Sequence, residues 1–300
     1  MEIVELGSSG LCASRVGLGC NNFGARIDLE ATRAVVDAAL EVGVTFFDTA
    51  EMYGNGGDSE RFLGEVLEGR RDEVVLATKF GWGQEAGNGS AEYVRSAIEG
   101  SLERLRTDHV DLYYLHKPDP STPIAETLGA LDELVRDGRV RAIGCSNFSA
   151  EQLAEADRAA RELGTARFTV LQNHYSLLER GDDDEVLPLC RELEVSYIPY
   201  FPLASGLLTG KYRRGQPAPE GTRLAGREIE DERFARVEAF AAFAEERGHS
   251  LHELALSALA STPGIGSIIA GATKPEQVRA NAAAVGWRLD EAELAALAEL

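Results

Sequence analysis

Short runs of consecutive apolar residues alternate along this chain with longer stretches in which apolar residues return every three or four positions. The first kind reads as buried strand, the second as amphipathic helix. Strands are predicted at residues 16–19, 44–47, 74–78, 110–115, 140–144, 169–172, 197–200 and 267–269, after an N-terminal β-hairpin over 2–12. Helices are predicted at 29–42, 90–105, 123–136, 150–163 and 275–285. Apolar strands separated by helices belong to a parallel sheet covered on its outer side. Eight such strands within 300 residues favour an α/β fold of the (β/α)8 TIM barrel type over a doubly wound sheet, with residues 1–300 forming a single domain.

Glycine punctuates this pattern. Gly43, Gly69, Gly138 and Gly164 each stand between a helical run and the next strand, where a helix commonly ends in a left-handed residue. One stretch breaks the rhythm: residues 206–226, GLLTGKYRRGQPAPEGTRLAG, are rich in Gly and Pro and follow the seventh strand. In a barrel this is an enlarged loop on the C-terminal face, the face that carries active sites. The acidic run 182–185 reads as decoration of a helix N-terminus, where its charge complements the dipole, rather than as a metal site.

Composition narrows the class. Apolar residues make up 44% of the chain, enough for a large core. No stretch reaches the roughly 18 apolar residues of a membrane span. The start, MEIVELGSSG, lacks the basic and then apolar pattern of a signal peptide, so a cytoplasmic location is expected. A net charge of −20 argues against nucleic acid or an anionic membrane as partner, and it requires the positive contacts of any anionic ligand to be local. Cys12, Cys20, Cys145 and Cys190 show no CxxC spacing and read as free, mostly buried thiols. Lysine occurs only as Lys79, Lys117, Lys211 and Lys274. Since arginine keeps its proton in proteins, each position where lysine has been kept invites a reason.

The candidate chemistry sits at strand ends. Asp48 ends the second strand, Lys79 the third (VVLATK) and His116 the fourth (DLYYLH), while Tyr53 lies in a loop five residues beyond Asp48. Taken singly, each has an ordinary explanation: a turn cap, a covering loop residue, a solvated charge, and a satisfied polar residue before Pro118. Taken together they do not, because consecutive core strands that all end in ionisable side chains on one face carry a burial penalty.

The stretches GLGCNNFG, FFDTAEMYG, SERFLGEVL, LATKFG, DLYYLHKPDP, IGCSNFS, LQNHYSLL, PLASGLLTGKY and GATKPEQVRAN occur in this order over nearly the whole length. In these the chain resembles the aldo-keto reductase superfamily, particularly its bacterial and potassium-channel β-subunit-like branches. The resemblance implies a catalytic tetrad of Asp48, Tyr53, Lys79 and His116. It also implies reduction of aldehyde or ketone carbonyls to alcohols by hydride transfer, with NADPH as the usual cofactor and NADH as the lesser alternative. That cofactor is bound extended, without a Rossmann fold, and no GxGxxG occurs in this chain.

The implied roles follow from the reaction. As hydride reaches the carbonyl carbon, charge develops on oxygen, and a proton donor is needed beside it. Tyr53 is the implied acid, with Lys79 lowering the phenol's pKa, Asp48 keeping Lys79 charged, and His116 orienting the substrate oxygen. Gly19 ends the first strand, and it lies with Cys20 and Asn21 in the implied cofactor site. Ser146, Asn147 and Gln172 fall at the nicotinamide carboxamide, which needs donors and acceptors together, and Tyr200 stacks on the nicotinamide ring. Phe201, Pro202 and Leu203 lead to Ser205, Gly206 and Lys211 at the pyrophosphate. Gly271 precedes Thr273 and Lys274 at the 2′-phosphate, with Gln277 and Asn281 towards the adenine. Ser149 fits the cap of the helix after strand five better than Ser146 or Asn147 does.

Phe23, Trp82 and Phe201 near the barrel mouth point to an apolar or aromatic carbonyl substrate. Three positions depart from the family's habit: Gln277 stands where many members have arginine, Ala280 where glutamate is frequent, and Phe201 where serine is common. Two other functions compete. One is a nucleotide-binding regulatory subunit with slow turnover. The other is a Schiff-base aldolase with Lys79 as nucleophile, which leaves Tyr53, Ser146, Asn147 and Gln172 without a task.

Overall fold

The computed structural model describes residues 1–83 and 87–300. Its strands are β1 (Ile3–Glu5), β2 (Cys12–Ser14), β3 (Val16–Gly19), β4 (Phe46–Asp48), β5 (Val75–Phe80), β6 (Val110–Leu115), β7 (Val140–Ser146), β8 (Phe168–His174), β9 (Ser196–Tyr200) and β10 (Ile268–Gly271). β1 and β2 form an antiparallel hairpin, and β3 to β10 close into a parallel barrel in chain order, β10 pairing back to β3. The expected (β/α)8 barrel with its N-terminal hairpin is therefore present. Helices Leu29–Glu41, Asp58–Val66, Ala91–Leu105, Ile124–Arg136, Ala150–Leu163 and Val186–Glu192 cover the first six crossovers. Asp231–Glu245 and Leu251–Ser261 share the seventh, and Pro275–Ala283 follows β10. Ser149 caps Ala150–Leu163 in a capping box with Gln152, and Gly164 ends that helix at φ 66°.

Six of the eight barrel strands begin or end one or two residues away from the sequence pattern, and two of these shifts have a clear local reason. The segment predicted at 44–47 enters the ladder only at Phe46, because the Ser14 hydroxyl of β2 accepts the Thr45 and Phe46 amides at 2.9 and 3.2 Å. β8 runs on to His174, which pairs with Tyr200 at the end of β9.

The interior of the barrel is layered by the two-residue period of its strands. Phe46, Ala77, Leu112, Ala142, Val170, Ile198 and Ile269 fill the lower part and pack against Leu6, Leu11 and Ala13 of the hairpin, which plugs the N-terminal end. Two residues further along their strands, the same inward register delivers Asp48, Lys79, Gln172 and Tyr200 to the other end. On β6 and β7 one more interior residue intervenes, Tyr114 and Gly144, before His116 and Ser146. A Cβ on Gly144 would come within 2.7 Å of the Tyr114 ring, so glycine makes room for that ring.

A second apolar layer separates barrel from helices. A further cluster joins helices Asp231–Glu245 and Leu251–Ser261 to Leu207, Leu208 and Tyr212, which anchors the base of the long loop. Among the described residues no helix is long and apolar enough to cross a membrane, and no group of acidic, His and Cys side chains could hold a metal ion. All four cysteines are free, with Cys12 exposed and the others buried. The acidic run does precede a helix, but Asp182 is more than decoration: it accepts hydrogen bonds from Asn173 Nδ2 at 2.8 Å and the Tyr197 hydroxyl at 2.7 Å.

Leu6 is 0% exposed beneath the barrel. Leu6→Ala should destabilise the chain by roughly 2–5 kcal/mol in urea titration, since the plug cannot collapse onto the closed strands.

Candidate active site

A cavity of about 900 Å³ opens at the C-terminal end of the barrel, and Asp48, Tyr53 and His116 lie in its lining. Lys79 sits just below, with its side chain 0% exposed against 3% for Asp48. The Lys79 ammonium donates to Asp48 Oδ1 and, at 2.8 Å, to the Thr49 carbonyl. The other Asp48 oxygen accepts from Gln172 Nε2 at 2.9 Å, so β4, β5 and β8 meet on one carboxylate. The third lysine N–H is left for Tyr53, whose ring centroid lies 5.1 Å from Nζ. Tyr53 opens a short helical turn, Tyr53–Gly56. The chain leading to it is tied to β5: Thr49 N donates to Ala77 O at 2.9 Å and Glu51 N to Lys79 O at 3.0 Å. Glu51 Oε1 also accepts from Gly81 N at 2.8 Å and from the Tyr93 hydroxyl at 2.9 Å. These ties set the interval between Asp48 and Tyr53.

The charges settle in a definite order. Burial pulls the Lys79 pKa down, but Asp48 and then Tyr53 together outweigh it and hold the ammonium above the ordinary lysine value. For Tyr53, burial pushes the phenol up, Lys79 pulls it down, and Asp48 pushes it up again, leaving it above the ordinary tyrosine value. This corrects the expectation of a lowered phenol. Lys79 acts in the anticipated direction, but taking the phenolate out of water costs more than one ammonium returns. Tyr53 therefore keeps its proton through the neutral range. Burial, with repulsion from Lys79 and Lys117, lowers His116 to about 2, so its imidazole is neutral. Among the described residues, His116 Nδ1 is buried without a partner. The tautomer protonated at Nε2 avoids an unpaired buried N–H and offers a donor to the cavity.

The other side of the mouth is organised by amides and strained backbone. Asn147, at φ 62°, donates from Nδ2 to His116 O at 2.9 Å and to Ser146 Oγ at 3.1 Å, while its Oδ1 accepts from the Tyr200 hydroxyl at 2.8 Å. Ser146 Oγ donates to Gln172 O at 2.6 Å. Phe201, Ala204 and Ser205 hold φ values of 55°, 46° and 59°. Left-handed backbone at non-glycine residues costs on the order of 1 kcal/mol each, and chain folded this way makes concavities of N–H groups that suit anions. Gly206 completes the run at φ 92°, where a Cβ would lie 2.7 Å from Lys211 Nζ.

Every residue assigned to the cofactor from sequence lies in the lining of this cavity, from Gly19, Cys20 and Asn21 through to Gln277 and Asn281. Trp82 and Phe201, each 38% exposed, line it as well. Phe23 does not, which corrects its placement in a substrate pocket. A turn in which Phe23 N donates to Cys20 O at 3.0 Å sends the ring, 0% exposed, into the layer between barrel and helices.

Sequence reading missed Arg26, Arg223 and His252, all of which line the cavity. Arg223 Nη2 donates to Asn21 Oδ1 and Asn22 Oδ1, both at 2.9 Å, and Arg26 Nη2 donates to Gly221 O at 2.6 Å. The long loop thus crosses the mouth and is fastened to the turn after β3. Among the described residues neither arginine forms a salt bridge to a carboxylate. Arg223 had a faint signal, its place in the one Gly- and Pro-rich loop of the working face, but nothing in sequence separates it from Arg213, Arg214 and Arg227.

Residues 15–300 match the family model described as the Aldo/keto reductase family, and the chain belongs to that family. It is accordingly an oxidoreductase of a class that uses nicotinamide cofactors. It is similar to a probable voltage-gated potassium channel subunit beta of Oryza sativa, 36% identical over 297 residues that cover 94% of this chain and 90% of the relative. It is also similar to aldo-keto reductase YhdN of Bacillus subtilis, 36% identical over 307 residues covering 97% and 90%. L-glyceraldehyde 3-phosphate reductase of Escherichia coli is 32% identical over 304 residues covering 95% and 88%.

The His116 shift has a sign that can be tested. Folding keeps the imidazole neutral down to about 2, whereas the unfolded chain takes up its proton near the ordinary value of 6.5. Stability from this group is present above that value and is lost as pH falls, by roughly 1.4 kcal/mol per unit. His116→Gln should flatten this acid limb in denaturant titrations at stepped pH.

Proposed function

We propose that this chain is an NADPH-dependent reductase of aldehydes and ketones. The observation that carries this reading is the convergence of the Tyr53 phenol and the His116 imidazole on one cavity, above a buried Lys79–Asp48 pair. The cofactor, when bound, supplies the hydride. Tyr53 gives its proton to the carbonyl oxygen, and Lys79, held charged by Asp48, stabilises the phenolate left behind. His116 donates from Nε2 to the same oxygen and fixes its direction, so the two donors meet the developing charge together. Gln172 Nε2 is engaged by Asp48, which leaves its oxygen as an acceptor for a carboxamide N–H. The tyrosine stays the acid despite its raised pKa, because a donor must be protonated before the reaction and the cation beside it favours the charge that forms afterwards.

The far end of the cavity supports NADPH over NADH. Gln277 Oε1 is occupied by Thr273 N and Oγ1 at 2.7 and 3.2 Å. What this amide leaves for a ligand is N–H, beside the exposed Lys274 ammonium. A donor-only wall suits the oxygens of a 2′-phosphate better than a hydroxyl pair. The substrate is a small carbonyl compound, a net charge of −20 favours neither nucleic acid nor membrane as partner, and we place the reaction in the cytoplasm.

A second reading, a redox-reporting subunit with slow turnover, draws support from the relatives named as probable channel β subunits. The aldolase reading draws none, since a Schiff-base lysine must be a free amine and Lys79 is held charged.

Tyr53→Phe should lower turnover of an aldehyde panel by about a hundredfold or more while leaving NADPH binding, read by tryptophan quenching, within about twofold. Unchanged turnover would remove Tyr53 from the acid role, and tight binding without turnover in the native chain would favour the subunit reading. Lys274→Ala should weaken NADPH by about tenfold and NADH little; an equal loss for both would place the 2′-phosphate elsewhere.

A further inference from the structure

Beyond residues 201–211 the cavity is bounded by helices Leu251–Ser261 and Pro275–Ala283, which contribute His252, Ala280 and Asn281. Nothing in the proton-transfer chemistry or the phosphate contacts uses His252. Its Nε2 lies 2.9 Å from Asn281 Oδ1, and Asn281 is itself buried. A carboxamide oxygen can only accept, so Nε2 of the imidazole must carry the proton. Burial keeps this imidazole below its ordinary pKa against weaker upward pulls from Asn281 and Glu253, so the ring is neutral at physiological pH.

The consequence falls on Asn281. With its oxygen turned to His252, the end of the amide left to meet a ligand is Nδ2. The neighbours do not restore an acceptor: Ala280 offers a methyl group, and the Gln277 oxygen is held by the Thr273 amide. An adenine presents ring-nitrogen acceptors and one exocyclic 6-amino donor. A wall with donors and no free acceptor can bond the former and has nothing for the latter.

We propose that His252 is a positioning residue that locks Asn281 as a hydrogen-bond donor, so that this end of the cavity holds a purine through its ring nitrogens and does not read the group at its 6 position. The inference rests on the reading that a nicotinamide dinucleotide occupies the cavity, and its test separates the two. NADPH and its hypoxanthine analogue, in which the 6-amino group becomes a 6-oxo group and N1 gains a hydrogen while the ring nitrogens N3 and N7 stay acceptors, are titrated against the intact chain by quenching of tryptophan fluorescence. Trp82 lines the cavity. The native chain should bind the two within about threefold of each other. His252→Phe keeps a ring in place but frees the Asn281 amide to turn its oxygen towards the base. Asn281→Asp supplies an acceptor outright. Both variants should prefer the adenine form by about tenfold, a change in base selectivity that a merely structural loss would not produce.

A tenfold preference for either form in the native chain would overturn the inference, since a donor wall that reached the 6 position would favour the 6-oxo group. So would an unchanged ratio in both variants. If NADPH itself fails to bind the native chain, the cofactor reading falls and takes this one with it. If NADPH binds and the base is read at its 6 position, only this inference is lost.

Discussion

The buried contact between Lys79 and Asp48 is the constraint around which the rest of the barrel is arranged. Neither side chain has meaningful access to water. Each charge is tolerable only because the other is beside it, and such a pair adds little stability of its own. The remaining lone pairs and protons must therefore be satisfied, which explains why Gln172 reaches across from β8 and why the Thr49 carbonyl turns to the ammonium. The stability that the pair does not provide comes from below and outside: the hairpin that seals the lower barrel and the apolar layer beneath the helices. The outward face of β5 repeats the device. Thr78, next to Lys79, donates to the fully buried Glu60 at 2.5 Å, and Arg104 neutralises that carboxylate at 2.6 Å.

A strongly acidic chain has to concentrate its free positive charge where an anion is to be held. Most arginines here are spent on surface carboxylates, as with Arg95 and Glu133 or Arg279 and Glu41. Those around the mouth are spent differently. Arg26 and Arg223 bond carbonyl oxygens while fastening the long loop, and Lys117 rests over the Trp82 ring with Nζ 3.8 Å from its centroid. Such contacts hold a side chain in position without cancelling its charge, which leaves these cations available to an anion although the molecule as a whole is acidic.

Much of this was legible because a barrel strand places every second residue on one face. Asp48 follows Phe46 and Lys79 follows Ala77, so a core position is succeeded, two residues later, by a charge on the same side. That violation of burial is a local signal, and sequence displays it. The misplacements have a common cause as well: they depend on distances along no single element. The sequence points to Phe23 at the mouth, but a backbone turn at Cys20 brings Asn22 there instead. His252 lies in a helix whose pattern reads as core, and only the packing of that helix beside Pro275–Ala283 brings it to Asn281. The direction of the Tyr53 pKa is hidden from sequence for the same reason. The identity of a neighbouring cation can be read from residues, but the depth of burial that opposes it is a property of the assembled barrel.

The amides around the cavity show how such an assembly turns ambiguous side chains into specific ones. Asn and Gln carry a donor and an acceptor on interchangeable ends, so an isolated amide tells a ligand nothing. Asn147 has its donors taken by His116 O and Ser146 Oγ, Gln172 has a donor taken by Asp48, and Gln277 and Asn281 have their oxygens taken by Thr273 and His252. Near the reactive end the amide donors are bound to acceptors, and since the Asn147 oxygen also accepts from the Tyr200 hydroxyl, the amide group left to a ligand there is the Gln172 oxygen. At the far end the fixed partners are donors, and what remains is N–H. The same two residue types thus present opposite polarities at the two ends of one cavity. The difference is set by the partners behind them and by nothing in their own chemistry, which is why a composition of the lining alone would miss it.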